Sequence, residues 1–366
     1  MKKIGIITMH KALSYGSALQ AYALQKKICE LGYEAILIDY KYPNKAHIQG
    51  RNTLRYYIET LISFGVNMIW GFPNLIKKSR FRCFYNNHYN LSVFYPTEKS
   101  IKDNPPRCDV YMTGSDQVWN PNFILQDRTF MLSFAKDDAK RVSYGSSFAV
   151  SQVPKAYKPS YCDCLSKYSM ITVREASGID LVKELTGKEA TQVCDPTLLL
   201  GKTEWDTIAN ESKIQINEPY ILVFLLGYSF NPYPQVKNLI KKVKDSLGLK
   251  VIYLDGRKDD LFQSNSKILK NTGPADFLYL VRNASYVITD SFHGTVFSTI
   301  YSRPLTAVVK SGNTDSRIVS FLRKIGREEC AVSYDSTTLE ISTKTDYSQS
   351  AEFVESSLKI LKEMLS

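Results

Sequence analysis

The same succession of local patterns occurs in both halves of this chain, and it restricts the fold more than any other feature. In each half an apolar strand leads through a glycine-containing loop into an amphipathic helix and then into a second apolar strand. The first copy runs from Ile4 to Asp39 and the second from Tyr220 to Leu254. A strand, helix and strand of these lengths predict two parallel strands with a right-handed crossover. Each half is therefore expected to form a Rossmann-like domain.

The helices of the two copies are expected at about Ala18 to Leu31 and Gln235 to Leu247, the first after a loop that contains Tyr15, Gly16 and Ser17. Further strand patterns alternate with helix-compatible stretches, and they occur at Val110–Thr113, Arg141–Tyr144, Met170–Val173, Thr191–Cys194, Ala284–Thr289 and Leu305–Val309. This alternation predicts doubly wound α/β sheets, which bind ligands at the carboxyl ends of their strands.

A chain of 366 residues is long for one hydrophobic core, because single cores stop growing at roughly 250 to 300 residues. The polar run 202–218 is the expected break between domains. We therefore expect an N-terminal domain at 1–205, a C-terminal domain at 206–350, and a last helix within 351–366 that packs near the boundary. The cleft between two such domains is the expected binding site.

Composition narrows the possible partners. The formal net charge of +11 indicates an anionic partner, which could be nucleic acid, an acidic membrane surface or a phosphorylated substrate. The seven cysteines are scattered, which favours reduced thiols in the cytoplasm and predicts no metal site. The sequence contains neither a Gly-x-Gly-x-x-Gly motif nor a Walker loop, so a nicotinamide or ATP enzyme is disfavoured. The start, Met1 to Thr8, is too short an apolar run for a signal peptide or a membrane span.

Residues 51–102 interrupt the alternation with many aromatic and basic side chains. The apolar run 61–76 is too short to cross a bilayer and is interrupted by glycine and proline. Such a segment could cover the core, lie on an acidic membrane surface or stack on nucleic acid bases. Covering the core is the favoured reading, and nucleic acid is disfavoured because no nucleic-acid-binding module accompanies the segment.

Two residues at strand ends are the strongest catalytic candidates. His293 lies in the turn Asp290–Thr295, between a strand and a helix expected from Val296, where an imidazole could bind phosphate or transfer a proton. It could equally cap the helix. Arg174 follows another strand and presents a fork suited to carboxylate or phosphate, although a surface ion pair with Glu175 or Asp195 would also explain it.

Polar loops at other strand ends supply further candidates. Their hydroxyl, carboxylate and amide groups are dense for connecting loops, and one tryptophan is expected to be exposed. These candidates are Tyr15, Gly16, Ser17, Ser115, Asp116, Gln117, Trp119 and Ser146.

Taken in order, five motifs resemble those of the polysaccharide pyruvyl transferase family, and the resemblance extends from residue 4 to about 325. The motifs are Tyr15–Gln25, Gly114–Trp119, Val173–Glu175, Asp195–Thr197 and Ser291–Gly294. The resemblance implies a glycosyltransferase-B-like pair of Rossmann domains separated by a cleft. It also implies an enzyme of exopolysaccharide or capsule biosynthesis. Its reaction would add a pyruvate ketal from phosphoenolpyruvate, with no other cofactor, to a sugar of a cell-surface polysaccharide or its lipid-linked precursor. The scattered cysteines favour a cytoplasmic location, and the segment 51–102 leaves open peripheral contact at the inner face of the cell membrane.

The resemblance implies that Arg174 and the turn with His293 bind the donor. The implied reaction needs a proton donor and cations around the donor, for which His293 and Arg174 are the catalytic candidates. Ser291 occupies the position of a second family arginine, and Lys310 or Arg317 could supply the missing charge. The donor site would then comprise Arg174, Ser291, His293, Gly294, Thr295, Lys310 and Arg317, and the polar-loop residues would bind the acceptor. We expect His293→Ala and Arg174→Ala each to abolish transfer without unfolding the protein. A nucleotide-sugar glycosyltransferase and a non-catalytic scaffold on a membrane are the alternative functions.

Overall fold

The computed structural model describes residues 1–41, 72–125, 127–227, 230–257, 260, 265–312, 316–336 and 341–366, with side chains in the second range from residue 75 onward. Contacts divide the chain into two compact units. The N-terminal unit comprises Met1–Leu75, Arg82–Leu199 and Val354–Ser366, and the C-terminal unit comprises Ile76–Phe81 and Leu200–Phe353. The division at Leu199 falls shortly before the boundary expected from the sequence.

The N-terminal unit contains a parallel six-stranded sheet in the order β2-β1-β3-β4-β5-β6. Its strands are β1 (Lys3–Ile7), β2 (Glu34–Leu37), β3 (Val110–Thr113), β4 (Lys140–Ser146), β5 (Met170–Val173) and β6 (Thr191–Gln192). Its helices are α1 (Tyr15–Glu30), α2 (Phe72–His88), which also contributes to the C-terminal unit, α3 (Glu98–Asp103), α4 (Pro121–Ile124), α5 (Lys158–Leu165) and α6 (Ser177–Thr186).

The C-terminal unit contains a second parallel six-stranded sheet, in the order β12-β11-β10-β7-β8-β9. Its strands are β7 (Tyr220–Phe224), β8 (Lys250–Leu254), β9 (Ser266–Leu269), β10 (Tyr286–Thr289), β11 (Leu305–Val309) and β12 (Ala331–Ser333). Its helices are α7 (Lys202–Ala209), α8 (Val236–Leu247), α9 (Pro274–Asn283), α10 (Phe292–Ile300) and α11 (Arg317–Lys324), and α12 (Ser350–Leu365) begins there and ends in the N-terminal unit. The predicted α/β class with parallel sheets is confirmed.

Two connections expected to be irregular are helical. The polar run expected as a linker contains α7, whose Trp205 is fully buried and packs edge-on against Phe297 of the C-terminal unit. The predicted loop at Tyr15, Gly16 and Ser17 forms the first turn of α1 instead. The reason is local, because the side chain of Ser14 accepts a hydrogen bond from the backbone N–H of Ser17 and so caps the helix.

The exposure expected for Trp119 is wrong. Its side chain is 0% exposed, and its indole Nε1 donates a hydrogen bond of 3.3 Å to the carbonyl of Phe130. The rings of Phe148 and Tyr168 pack against it. A large apolar ring with its one polar group satisfied gains most by burial, so Trp119 stabilises the core of the N-terminal unit and offers no ring face to an acceptor.

Part of the aromatic and basic segment, residues 51–71, lies outside the described residues. In the part that is described, Phe81, Phe84 and Tyr85 of α2 are buried. Lys77 donates to the Asp255 carboxylate at 2.6 Å. These contacts fit a segment that covers a core. Among the described residues, no helix is long and apolar enough to span a bilayer.

Candidate active site

The histidine turn of the C-terminal unit is the first turn of α10, not a loop that precedes a helix. The Ser291 side chain accepts from the backbone N–H of Gly294 at 3.2 Å, and the Thr295 hydroxyl donates to the Ser291 carbonyl at 3.1 Å. The capping role that the sequence left open for His293 therefore belongs to Ser291. His293 itself occupies the second helical position, beyond the carboxyl end of β10, where the helix dipole favours an anion.

Gly294 is required by how closely α10 approaches β10. A Cβ atom at this position would lie 2.5 Å from Oγ1 of Thr289. That hydroxyl is fixed, because it donates to the Phe224 carbonyl at 2.7 Å and accepts from the backbone N–H of Ser291 at 3.0 Å. The glycine thus holds the histidine turn directly against the end of the sheet.

Asp290 ties the same turn to the neighbouring strand. Its carboxylate accepts from the backbone N–H groups of Leu226 at 2.6 Å and Gly227 at 2.8 Å, both just beyond β7. Burial raises the pKa of Asp290, against the opposing effect of those two N–H groups. The loops after β7 and β10 are therefore fixed to each other.

His293 is 8% exposed and meets the edge of the Phe292 ring at a centroid distance of 5.3 Å. The guanidinium carbon of Arg317, at the start of α11, lies 6.0 Å from the centroid of that same ring. Lys310 directly follows β11, the strand next to β10, and is exposed. Of Lys310 and Arg317, the two donor cations predicted in this unit, Arg317 contacts the histidine turn directly.

The N-terminal unit places Arg174 in a buried charge network at the carboxyl edge of its sheet. The guanidinium side chain is 1% exposed, with Nη1 2.8 Å from Oδ2 of Asp195 and Nη2 3.8 Å from Oδ1 of Asp116. Burial alone would lower the pKa of Arg174, but the carboxylates of Asp195, Asp116 and Glu175 outweigh it and raise that pKa. The Arg174–Asp195 pair anticipated as an alternative is therefore present, in the interior and not on the surface.

Hydroxyl groups complete this network. Ser17 donates to the Asp116 carboxylate. Ser115 donates to Oδ2 of Asp195 at 3.1 Å, and Thr197 donates to Oδ1 at 2.8 Å. The network therefore joins the first turn of α1 to the loops after β3 and β6.

Backbone geometry brings the remaining polar-loop candidates to the same edge. Asp116 has a φ of 76°, a left-handed conformation that is uncommon for residues other than glycine and often occurs at functional sites. Its carbonyl accepts from the N–H of Ser147 at 3.0 Å, and the carbonyl of Ser146 accepts from the N–H of Arg174 at 3.1 Å. Gln117 is half-buried and accepts from the Asn120 amide at 2.8 Å.

A second cluster at this edge was missed by the sequence analysis. His10 follows β1 and Asp39 follows β2, and Nε2 of His10 lies 3.4 Å from Oδ1 of Asp39. Lys11 donates to Oδ2 of Asp39 at 2.6 Å. The sequence could have indicated this cluster, because His10 and Asp39 each follow a predicted strand, and the carboxyl ends of neighbouring parallel strands meet at one edge of a sheet.

The fold that these two units define is a two-domain α/β fold of the glycosyltransferase-B-like class. The UDP-GlcNAc 2-epimerase of Methanocaldococcus jannaschii has a similar structure, with a TM-score of 0.53 and 11% identity over 97% of this chain and 92% of that one. The UDP-GlcNAc 2-epimerase of Neisseria meningitidis, solved with UDP-GlcNAc bound, gives a TM-score of 0.51 and 9% identity over 100% and 99%. At such identities the likeness concerns the fold alone.

The sequence defines the family. The model of the polysaccharide pyruvyl transferase family matches residues 15–310, which is most of the chain. A search of curated protein sequences gave no match. The chain belongs to the polysaccharide pyruvyl transferase family.

Proposed function

We propose that this protein transfers the pyruvyl group of phosphoenolpyruvate to two hydroxyls of one sugar, in a cell-surface polysaccharide or its lipid-linked precursor, and so forms a pyruvate ketal. Family membership supports pyruvyl transfer and a glycan acceptor. The donor and the mechanism are inferred from the position of His293 in the first turn of α10. Arg317 lies beside the Phe292 ring, which His293 also contacts.

The reaction needs one proton donor and balances without a further reactant. His293 donates a proton to the methylene carbon of phosphoenolpyruvate, which becomes a methyl group and leaves a cationic centre at C2. One sugar hydroxyl adds to C2 and the C–O bond to phosphate breaks. The second hydroxyl then adds to C2, and the two protons released by the hydroxyls restore His293 and leave with the phosphate.

The donor carries a carboxylate and a phosphate, so it needs positive charge on more than one side. The N-terminus of α10 supplies a helix dipole that favours an anion. We propose that Ser291, Gly294 and Thr295 shape this end of the site, and that Arg317 and Lys310 stabilise the anions.

Arg174 is proposed to bind an anionic group of the donor. Its tight contact is with Asp195 at 2.8 Å, and its looser contact is with Asp116 at 3.8 Å. An anion would therefore replace Asp116 as the partner of Nη2 at a lower cost than it would replace Asp195.

The acceptor is proposed to bind near Tyr15, Gly16, Ser17, Ser115, Asp116, Gln117 and Ser146, where carboxylate, amide and hydroxyl groups can pair with sugar hydroxyls. If the acceptor is lipid-linked, the net charge of +11 would favour peripheral contact with an acidic membrane.

The test is mass spectrometry of candidate glycans and lipid-linked oligosaccharides after incubation with phosphoenolpyruvate. We expect the mass gain of one pyruvate ketal and an equal amount of released phosphate. His293→Gln should lower the rate by roughly 10²- to 10⁴-fold, the usual contribution of a general acid. His88→Gln removes an imidazole from α2 and should leave the rate near that of the wild type. Transfer of a sugar from a nucleotide donor, with no use of phosphoenolpyruvate, would contradict the proposal.

A further inference from the structure

Arg257 is a cation at the carboxyl edge of the second sheet that none of the motifs includes. It follows β8 by three positions and is exposed. β8 pairs with β7, and β7 pairs with β10, so the loops that follow these three strands lie side by side.

Neutral groups hold the Arg257 guanidinium in place. Its central carbon lies 4.1 Å from the centroid of the Tyr233 ring, and Nη2 donates to the Asn231 side-chain oxygen at 3.3 Å. The Tyr233 hydroxyl donates to Oδ1 of Asp260 at 2.8 Å, and the backbone N–H of Arg257 donates to Oδ2 of that carboxylate at 2.5 Å. A planar guanidinium stacked on a fixed ring loses little freedom when it binds an anion.

Within the described residues, no carboxylate oxygen lies within ion-pair distance of the Arg257 guanidinium, although its positive charge acts on the Asp290 carboxylate from beyond that distance. Two other arginines of the C-terminal unit differ in this respect. Arg282 pairs with Asp206 at 3.3 Å, and Arg323 pairs with Glu328 at 2.8 Å. An ordered arginine with no carboxylate at ion-pair distance is a group suited to an anionic ligand.

Contacts connect this arginine to the histidine turn. A Cβ atom on Gly227 would lie 3.5 Å from Nη2 of Arg257. The N–H of Gly227 in turn donates to the Asp290 carboxylate at 2.8 Å, and Asp290 precedes the cap of α10. The guanidinium and the N-terminus of α10 are therefore linked through one short loop.

We propose that Arg257 binds the phosphate group of the donor, next to the histidine turn. The inference rests on the proposed function for the identity of the donor, but it makes a claim of its own about where phosphate binds. A dianionic phosphate can accept two hydrogen bonds from one guanidinium, which Arg257 can offer while it remains stacked on Tyr233.

The test compares Arg257→Gln and Arg257→Lys with a matched surface variant, Lys241→Gln, which removes one exposed positive charge from α8 of the same unit. Calorimetric titration with phosphoenolpyruvate and separately with inorganic phosphate measures affinity, and steady-state kinetics separate KM from kcat. Arg257→Gln should weaken binding of both ligands by roughly 10- to 100-fold and raise the KM for phosphoenolpyruvate more than it lowers kcat. Arg257→Lys should recover part of the loss, and Lys241→Gln should bind like the wild type.

The outcomes separate the two proposals. If the wild type forms the ketal and Arg257→Gln binds phosphoenolpyruvate normally, the Arg257 site is wrong and the proposed function stands. If the wild type binds inorganic phosphate through Arg257 but does not use phosphoenolpyruvate, the site stands and the donor is wrong. Binding of neither ligand by the wild type would overturn both.

Discussion

The carboxyl edges of the two sheets differ in the groups that surround an arginine at each edge. In the N-terminal unit, Arg174 lies between the carboxylates of Asp195 and Asp116, and each of these accepts further hydrogen bonds from hydroxyls. In the C-terminal unit, Arg257 rests on a tyrosine ring and an amide oxygen, with no carboxylate in ion-pair distance among the described residues. The two sheets have the same parallel architecture, so the difference arises from the loops.

This difference distinguishes an arginine that stabilises the fold from an arginine that is available to bind a ligand. A buried guanidinium with two carboxylate partners fixes the loops around it, and its removal leaves uncompensated charges in the interior. An exposed guanidinium held by neutral groups contributes little to folding and keeps its charge for a ligand. We therefore expect substitutions at the first edge to change stability most, and substitutions at the second edge to change binding most.

Arg174→Ala should produce the largest loss of stability, about 3–5 kcal/mol of unfolding free energy, because Asp195 and Asp116 would stay buried without their cation. This differs from the expectation, based on sequence alone, that the variant would keep its fold. Urea denaturation followed by circular dichroism measures the change.

The matched control is Lys183→Ala, which removes a cation that pairs with Glu189 on the surface of the same unit. Exposed pairs contribute at most about 1 kcal/mol, so this variant should unfold close to the wild type. Equal losses in the two variants would show that the buried network does not stabilise the N-terminal unit, and the contrast between the edges would fail.

Gly294→Ala should have an intermediate effect at the other edge. The new methyl group would lie 2.5 Å from Oγ1 of Thr289, so α10 must shift away from β10, at a cost of about 1–3 kcal/mol. The same shift would displace His293, and we expect turnover to fall together with the melting temperature.

A double-mutant cycle identifies the cause. Thr289→Ala removes the obstructing oxygen, so it should cost less stability in the Gly294→Ala background than in the wild type. Thr289→Ser keeps that oxygen and should give no such relief. Additive effects for Thr289→Ala would mean that the close approach of helix and strand is not what requires the glycine.

Sequence patterns predicted the central strands well but missed two edge strands of the C-terminal sheet. β3, β5, β8 and β11 occur where the sequence placed them, because buried parallel strands form continuous apolar runs. The edge strands β9 and β12 were missed, since each is short and only partly buried. The starts of α1 and α10 were placed too late because their glycines suggest loops, whereas the capping serines that precede them set the true first turns.

From the sequence, the candidate sites could be located at the ends of strands but not described further. Strand ends selected Arg174 and His293, and Asp195 was identified as a possible partner of Arg174. Burial was not predictable, because the loop around Trp119 has a polar composition although the ring itself is enclosed. Arg257 lies in a charged stretch that suggests an ordinary surface loop, and its importance depends on an aromatic ring and an amide from another loop.

Asp39→Asn should have the smallest effect, about 1 kcal/mol, and this effect should depend on pH. Burial opposes ionisation of Asp39, but hydrogen bonds from His10 and Lys11 outweigh it and lower the pKa of this carboxyl in the folded protein. A lowered folded pKa stabilises the protein above the ordinary carboxyl value of about 3.9, and the stabilisation is lost as the pH falls through the folded value. Unfolding free energies of wild type and variant should therefore differ at about pH 7 and draw together as the pH falls below the ordinary carboxyl value. A difference that persists at the lower pH would mean that Asp39 stabilises this edge through packing, and internal compensation of charge would then be limited to the Arg174 network.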